Sequence, residues 1–386
     1  MKSIKQLSVK VALGTALVLT SLAASAQLKV GITLSATGGA ASIGTVERNL
    51  ISLWPKTIAG QQVEYIVMDD GSEPGVAVRN TRKLTSEDKV DVLIGSSTSP
   101  NSMAMLPIPE ETGTPLISMS SALSIVYPMD KMKHWVFKTV QNDQSMIEAV
   151  LDDMSKRGIK KLGYIGLADA TGEGYLKALK EGVGAKGIEL TTIENYNRND
   201  QTVAAQVLRL VGSRPDAIYV ASLGTPAALP QIALVERGYK GLIYHTGGVA
   251  NNDFLRVAGP AAEGMLLPVG ALLVYPQLPD SNPVKKVAEG VVKMYEEKFG
   301  ANTRNMFLSY CQDSLLLLQN ALPAALQKAK PGTKEFRQAL RDSLEATKGL
   351  VTSNGIYTMT PTDHMGLDAK SIYIARVTNG KWTLAE

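Results

Sequence analysis

Several residue types that carry chemistry are scarce in this sequence. Its 386 residues include one cysteine, three histidines, five phenylalanines and three tryptophans. The single thiol, Cys311, excludes an intramolecular disulfide, and its apolar helical surroundings predict a buried, inert side chain. His134, His245 and His364, without a cysteine cluster, leave a structural zinc site almost without ligands. We therefore expect neither a metal nor a cofactor.

Charged residues nearly balance, and the small positive excess lies at the start of the chain. The formal net charge is +4, and removing Lys2, Lys5 and Lys10 lowers it to +1 (4 − 3 = 1). The sequence has no basic run and no basic strand carrying aromatic residues, so it does not indicate nucleic-acid binding.

The first 26 residues have the three parts of a secretory signal peptide. The lysines are followed by an apolar stretch at residues 11–22 and by Ala24-Ser25-Ala26, a small-residue cleavage pattern. The apolar stretch is short for a membrane-spanning helix, which needs about 20 residues; an uncleaved anchor is the alternative. No cysteine follows it to carry a lipid. We predict cleavage after Ala26 and a periplasmic location.

The remaining 360 residues (386 − 26) favour two domains. Strand and helix patterns alternate, which is typical of parallel sheets covered by helices on both faces. The predicted strands lie at residues 28–34, 63–68, 90–94, 115–119, 162–167, 188–196, 216–223, 242–246 and 265–269. Three long helical patterns then follow at residues 284–299, 305–328 and 334–347, and the tail indicates short strands with a hairpin turn at 378–380.

Five small, polar loops follow predicted strands, at residues 35–44, 96–102, 118–122, 169–174 and 223–226. Open parallel sheets bind ligands at the carboxyl ends of their strands, where helix N-termini offer free N–H groups. Any one such loop is explained better as ordinary helix capping than as a ligand contact. Five of them over two domains favour a ligand site in a cleft between the domains.

The order of several motifs resembles the leucine/isoleucine/valine-type periplasmic binding proteins of ATP-binding cassette transporters. These motifs are KVGITLSATGGAASIG, the DD pair, IGSSTS, PLIS, GYIGLADATGEGY and AGPAAEGM, and the resemblance runs from Leu28 to the C-terminus. It implies a two-lobed α/β fold, each lobe a mostly parallel sheet flanked by helices, with three hinge crossings that we place near Val140, Gly270 and Gly355. The predicted lobes are residues 27–140 plus 271–354 and residues 141–270 plus 355–386. The resemblance also implies a small-molecule ligand, permease subunits as partners and a monomer.

The departures from the resemblance bear on the ligand. In amino-acid-binding members, hydroxyls hold the α-carboxylate; Ser99 retains the first, whereas the threonine expected at Ala122 is absent. The acid that holds the α-ammonium falls at or beside Pro226, where no carboxylate occurs, and the usual aromatic residue is replaced by Thr171. A buried ammonium without an acceptor costs several kcal/mol, so we expect α-amino acids to be rejected. GTPAALPQ and HTGGVANNDFLR resemble instead the branch that binds aromatic acids.

Arg198 and His245 are the candidate charged or polar contacts for such an acid. An arginine grips a carboxylate through two parallel hydrogen bonds, although pairing of Arg198 with Asp200 is an equal alternative. His245 ends a predicted strand at the same edge, and a structural role with its hydrogen bonds satisfied inside the fold is the favoured alternative. Met119 and Tyr175 are candidates for the apolar part of the pocket or for ordinary core. The full predicted site comprises Ala41, Ser42, Ser99, Ser120, Ser121, Thr171, Gly172, Arg198, Gly224, Thr225, His245 and Gly248.

We therefore predict the extracytoplasmic solute-binding component of an importer, closing its lobes on an aromatic carboxylate such as a benzoate or hydroxycinnamate derivative, and performing no chemistry on it. An enzyme is disfavoured because no Gly-x-Ser-x-Gly elbow, nucleotide fingerprint or metal cluster occurs. Branched-chain amino acids, aliphatic acids, amides and urea-like solutes stay open as ligands. So does a sensor of the same fold.

Overall fold

The computed structural model describes residues 27–385, so the predicted signal peptide lies outside the described residues. The chain folds into two α/β lobes, each built on one sheet. Within residues 27–385, no helix combines the length and apolar character needed to cross a bilayer.

The sheet of the first lobe has six strands. They are β1 (Leu28–Leu34), β2 (Thr57–Ile58), β3 (Gln61–Asp69), β4 (Val92–Ile94), β5 (Leu116–Ser118) and β6 (Val136–Lys138). The order is β2-β3-β1-β4-β5-β6, and only the β2–β3 pair is antiparallel. Because helices cover both faces, β1 and β4 are apolar and buried along nearly their whole length. The helices in this stretch of chain are α1 (Ala41–Ile51), α2 (Pro74–Ser86), α3 (Ser99–Met105) and α4 (Pro107–Thr112).

The second lobe contains a seven-stranded sheet. The chain enters it through α5 (Asp143–Lys156) and continues as β7 (Lys161–Leu167), α6 (Ala170–Gly182), β8 (Glu189–Tyr196), α7 (Ala204–Gly212), β9 (Ala217–Ala221), α8 (Ala228–Glu236), β10 (Leu242–His245), α9 (Asn252–Ala258), β11 (Leu266–Val269) and α10 (Ala271–Val274). β7 to β11 are parallel to one another.

The chain then returns to the first lobe before it ends in the second. It forms α11 (Pro283–Phe299), α12 (Phe307–Lys328), α13 (Lys334–Glu345) and the short hairpin β12 (Leu350–Val351) and β13 (Ile356–Tyr357). Finally, β14 (Tyr373–Thr378) and β15 (Lys381–Leu384) add an antiparallel pair to the second sheet, in the order β15-β14-β11-β10-β9-β7-β8. Asn379 and Gly380 both have positive φ, as the predicted two-residue hairpin turn requires.

The chain segments that cross between the lobes contact one another at Asn354. Its Nδ2 donates to the Thr139 carbonyl at 3.0 Å and to Gln141 Oε1 at 3.2 Å. A Cβ on Gly270 would lie 1.7 Å from Asn354 Oδ1, so a side chain there has no room. Gln141 Nε2 in turn donates to the Ser371 carbonyl at 3.0 Å. Residues from all three predicted crossing regions are therefore in contact.

The chain does not join the second sheet directly after Gly355, the predicted position of the third crossing between the lobes. Lys138 N donates to the His364 carbonyl at 3.1 Å, and the His364 ring stacks on Phe137 at 4.3 Å between centroids. His364 therefore packs against β6, the edge strand of the first sheet, and the chain joins the second sheet at Tyr373. The predicted boundary at residue 355 places His364 in the second lobe, whereas these contacts are with the first.

Candidate ligand-binding site between the lobes

A cavity lies between the lobes, with about 410 Å³ of empty space that includes a part open to solvent. Most of its wall comes from loops that directly follow the carboxyl ends of strands: β4 and β5 in the first lobe, and β7, β9 and β10 in the second. This is where open parallel sheets place their ligands. The remaining wall comes from Ile43, Val140 and Met146 and from the start of α12.

The first lobe presents a cluster of hydroxyls. Ser97, Thr98 and Ser99 follow β4, and Ser120 and Ser121 follow β5. Ser120 Oγ donates to the Ser96 carbonyl at 2.9 Å, whereas Ser99 Oγ accepts from Ala122 N at 3.3 Å. The Ser99 hydroxyl therefore keeps its own proton for another acceptor.

Lys138 anchors the loop that carries Ser120 and Ser121, from the side of that loop away from the cavity. Its buried Nζ donates to the Ser121 carbonyl at 2.6 Å, to the Ala122 carbonyl at 3.2 Å and to Asn142 Oδ1 at 2.9 Å. Desolvation lowers the Lys138 pKa to about 7, although nearby Asp143 acts in the opposite direction. The ammonium thus lies one layer behind the cavity wall.

The second lobe contributes Thr171, Tyr175, Leu223 and the segment 246–248. Asp169 caps α6, and its Oδ1 accepts from Thr171 N at 2.8 Å. This cap holds Thr171 at the cavity, where its buried Oγ1 has no hydrogen-bond partner among the described residues. A buried hydroxyl without a partner is unfavourable, so Thr171 is suited to a polar group of a ligand.

Helix α12 supplies two aromatic side chains that the sequence reasoning missed. Phe307 and Tyr310 line the cavity with their rings 5.8 Å apart at 75°. The Tyr310 hydroxyl is buried and has no partner within residues 27–385. The long helical pattern at residues 305–328 is also typical of an ordinary core helix. The signal in the sequence that could have identified these two residues is an aromatic pair spaced i, i+3 at the start of the helix.

The cavity wall contains no charged side chain among the described residues. Of the predicted site, the structure brings five residues together in this wall: Ser99, Ser120, Ser121, Thr171 and Gly248, and it adds the suggested Met119 and Tyr175. The residues that were not singled out are Ile43, Ser97, Thr98, Val140, Met146, Leu223, Thr246, Gly247, Phe307 and Tyr310.

Four other predicted residues lie where the lobes meet, outside the cavity wall. A Cβ on Gly224 would lie 3.2 Å from Ser42 Oγ and 3.4 Å from the Gly39 carbonyl of the opposite lobe. Gly224 also has φ +61 and ψ −158, a conformation open only to glycine. Ala41 and Thr225 flank this contact in the sequence. These residues therefore belong to the closing surface.

Arg198 is paired within its own lobe and does not line the cavity, so its role as a clamp for a carboxylate stays a prediction. Its Nε and Nη2 lie 2.9 and 2.7 Å from Asp169 Oδ2, and not beside Asp200. Its Cδ would lie 3.7 Å from a Cβ on Gly39, so the side chain reaches the opposite lobe outside the cavity wall. Asp169 therefore engages one edge of the guanidinium through a single oxygen, whereas Arg198 Nη1 is buried without a hydrogen-bond partner among the described residues.

His245 and Gly172 lie behind the wall. His245 is fully buried, its Nε2 is 2.7 Å from Gln231 Oε1, and desolvation lowers its pKa to about 3. The imidazole is therefore neutral and cannot meet an anion as a cation. Gly172 packs so closely that a Cβ would lie 1.9 Å from the Leu167 carbonyl. Its role is close packing of α6 on β7.

Comparison with known proteins agrees with this architecture. A family model described as periplasmic binding protein matches residues 27–381. The chain belongs to the periplasmic binding protein family. Over 358 residues it is 22% identical to the Leu/Ile/Val-binding protein homolog 3 of Brucella melitensis, covering 91% of this chain and 92% of that protein. Against the leucine-, isoleucine-, valine-, threonine- and alanine-binding protein of Pseudomonas aeruginosa, the match is 23% identical and covers 54% of this chain but only 56% of that protein.

Solved structures of this family share the fold closely. An extracellular ligand-binding receptor from Rhodopseudomonas palustris HaA2 superimposes with a TM-score of 0.91 at 44% identity, covering 93% of this chain and 100% of that chain. A solute-binding protein of an ABC transporter from R. palustris, solved with benzoate, gives a TM-score of 0.79 at 22% identity, covering 92% and 94%. The second likeness shows the fold alone. The chain thus has the type I periplasmic binding protein fold, and it is similar to Leu/Ile/Val-binding proteins.

Proposed function

We propose that this periplasmic binding protein captures a small organic acid, an aromatic carboxylate, by closing its two lobes and delivers it to the permease of an ATP-binding cassette importer. The observation that carries the proposal is the uncharged cavity wall, with hydroxyls and aromatic rings but no carboxylate. An α-ammonium enclosed there would lack an anion, and a buried unpaired charge costs several kcal/mol.

The hydroxyls suit the carboxylate of the ligand. Hydrogen bonds donated to a carboxylate stabilise its ionised form even without a cation. Ser99 in the first lobe and Thr171 in the second donate to no described protein acceptor, and both lie in the wall. A carboxylate bridging them would contact both lobes, and such differential contacts favour the closed form.

The apolar part of the wall suits a ring. Phe307 and Tyr310 come from α12, and Met146 and Leu223 from the second lobe. The protein would act as a monomer in the periplasm, and it would release the acid unchanged.

A thermal-shift panel with the mature chain tests this function. Benzoate and hydroxycinnamates at a hundred times Kd should stabilise the folded state by about 2.7 kcal/mol, and leucine and isoleucine should not. Thr171→Val should weaken carboxylate binding about tenfold, the effect of about 1.4 kcal/mol. Thr85→Val is the matched control, because Thr85 Oγ1 bonds the Thr81 carbonyl within α2. Tighter binding of leucine than of any carboxylate would refute the proposed ligand class.

A further inference from the structure

A buried carboxyl group lies directly behind the cavity wall. Glu47 on α1 is fully buried, and Ser97, a residue of the cavity wall, donates through its hydroxyl to Glu47 Oε2. Glu47 Oε1 has no partner among the described residues. The carboxyl is thus linked to the ligand site through a single hydroxyl.

No described cation pairs with Glu47. The groups that face it are Ser97 from the loop after β4, Asp70 from the loop after β3, and Cys311 on α12, whose Sγ lies 3.7 Å from the Glu47 carbonyl oxygen. Desolvation, with a smaller contribution from Asp70, raises the Glu47 pKa to about 8 against the lowering by Ser97. The neutral acid is therefore the main form at pH 7.

Ser97 has one hydroxyl proton, and both Glu47 and a ligand in the cavity can accept a hydrogen bond from it. Its Oγ already accepts from Ser35 N at 3.0 Å. When Glu47 is ionised, the Ser97 proton is held by the carboxylate. When Glu47 is protonated, the acid donates to Ser97 Oγ, and the Ser97 proton is free to turn into the cavity.

We infer that Glu47 is a positioning residue that couples capture of an anion to a proton: the ligand carboxylate receives the Ser97 hydrogen bond only while Glu47 is protonated. The inference rests on the proposed function, since it requires a ligand that accepts a hydrogen bond from Ser97. At pH values below the Glu47 pKa, the carboxyl group is already protonated before the ligand binds. At pH values above that pKa, ligand binding must be accompanied by uptake of one proton from solvent.

Lys138, which holds the Ser121 carbonyl on the other serine loop, titrates near neutral pH as well. Around it, Asp143, Asp363 and the Asn142 amide contribute to its field. A pH profile of the natural protein alone would mix the two groups. The comparison with Glu47→Gln separates them, because a carboxamide can donate to Ser97 Oγ at every pH.

The experiment is calorimetric titration of the mature protein with benzoate as the probe between pH 6 and about 10, a range in which a carboxylate of pKa near 4 stays ionised. Affinity of the natural protein should fall above about pH 8, approaching tenfold per pH unit for one linked proton. Buffers of different ionisation enthalpy should report close to one proton taken up per ligand at high pH. Glu47→Gln should keep the affinity found at low pH and take up none.

Two further variants serve as controls for this interpretation. Asp91→Asn changes another buried acid of the first lobe that does not line the cavity, and should keep the natural profile. Ser97→Ala should bind weakly and lose the high-pH dependence even if Glu47→Gln does not fold. The same fall in affinity in Glu47→Gln, or benzoate binding by the natural protein without proton uptake, overturns the coupling alone. Failure of benzoate and every other carboxylate to bind at any pH overturns the proposed function and the coupling together.

Discussion

Replacing Tyr310 by phenylalanine should separate the stability of the fold from the affinity of the site. The Tyr310 hydroxyl is buried, lines the cavity and has no hydrogen-bond partner among the described residues. A buried polar group without a partner costs about 1–3 kcal/mol, so its removal should leave the ligand-free protein as stable as before or slightly more stable. The ring, which packs on Phe307, is retained.

Ligand affinity should change in the opposite direction. A ligand with a hydroxyl at this end of the cavity would bond to Tyr310, and loss of one such bond is worth about 1 kcal/mol, or about fivefold in Kd. Tyr310→Phe should therefore bind 4-hydroxybenzoate about fivefold more weakly and benzoate unchanged. Calorimetric titration measures both affinities, and urea denaturation measures the free energy of unfolding.

Tyr219→Phe is the matched control. The Tyr219 hydroxyl is also fully buried without a partner in the described chain, yet Tyr219 does not line the cavity and packs against Tyr175. Its loss should leave both affinities unchanged. The reasoning would be refuted if Tyr310→Phe lowered the free energy of unfolding by more than about 1 kcal/mol while the ratio of the two affinities stayed constant.

Three other changes test the closing surface, the arginine and the crossing region. Gly224→Ala should weaken carboxylate binding at least tenfold, about 1.4 kcal/mol, because the added methyl would press on Ser42 Oγ when the lobes close; Gly259→Ala, with similar φ and ψ but open space around the Cβ, controls for backbone strain in the same titration. Arg198→Ala should change Kd by less than about threefold, since a partly exposed ion pair contributes about 0–1 kcal/mol; a tenfold loss would show a direct ligand contact. Asp313→Ala should lower the free energy of unfolding by about 3 kcal/mol, because its carboxylate accepts from Thr352, Ser353 and Asn354 beside the crossings. Asp280→Ala, on an exposed pair, is its control in urea denaturation and should have almost no effect.

The layers of the fold were predictable because buried parallel strands have a strong local signal. The predicted strand at residues 28–34 matches β1, and the hairpin turn at 378–380 joins β14 to β15. From sequence, residues 99–112 are expected to be helical with a disturbance at Pro107 and Pro109, and the structure has two helices there, α3 and α4. Pro107 has no N–H to continue the first helix, and it is suited to the first turn of the second.

The site was less predictable, because its chemistry depends on contacts between distant residues. Strand-end loops gave Ser99, Ser121 and Thr171 from sequence alone. No local pattern shows that Arg198 pairs with Asp169, 29 positions away, and not with Asp200 two positions away. Likewise, Glu47 lies on an ordinary amphipathic helix, and only the fold places it against Ser97.

The placement of charge would let an uncharged wall select for the anion that we propose as the ligand. Glu47 stands behind Ser97 on one serine loop, and Lys138 stands behind Ser121 on the other. Each acts on the cavity through a neighbouring residue. Protonation of Glu47 determines the direction in which the Ser97 hydroxyl donates. The Lys138 ammonium donates to the Ser121 carbonyl, so this acceptor is not available to the ligand. A neutral hydroxyl wall backed in this way presents donors to an incoming carboxylate and withholds acceptors from an ammonium. Ligand selection in this protein should therefore respond to substitutions at Glu47 and Lys138, although neither side chain lines the cavity.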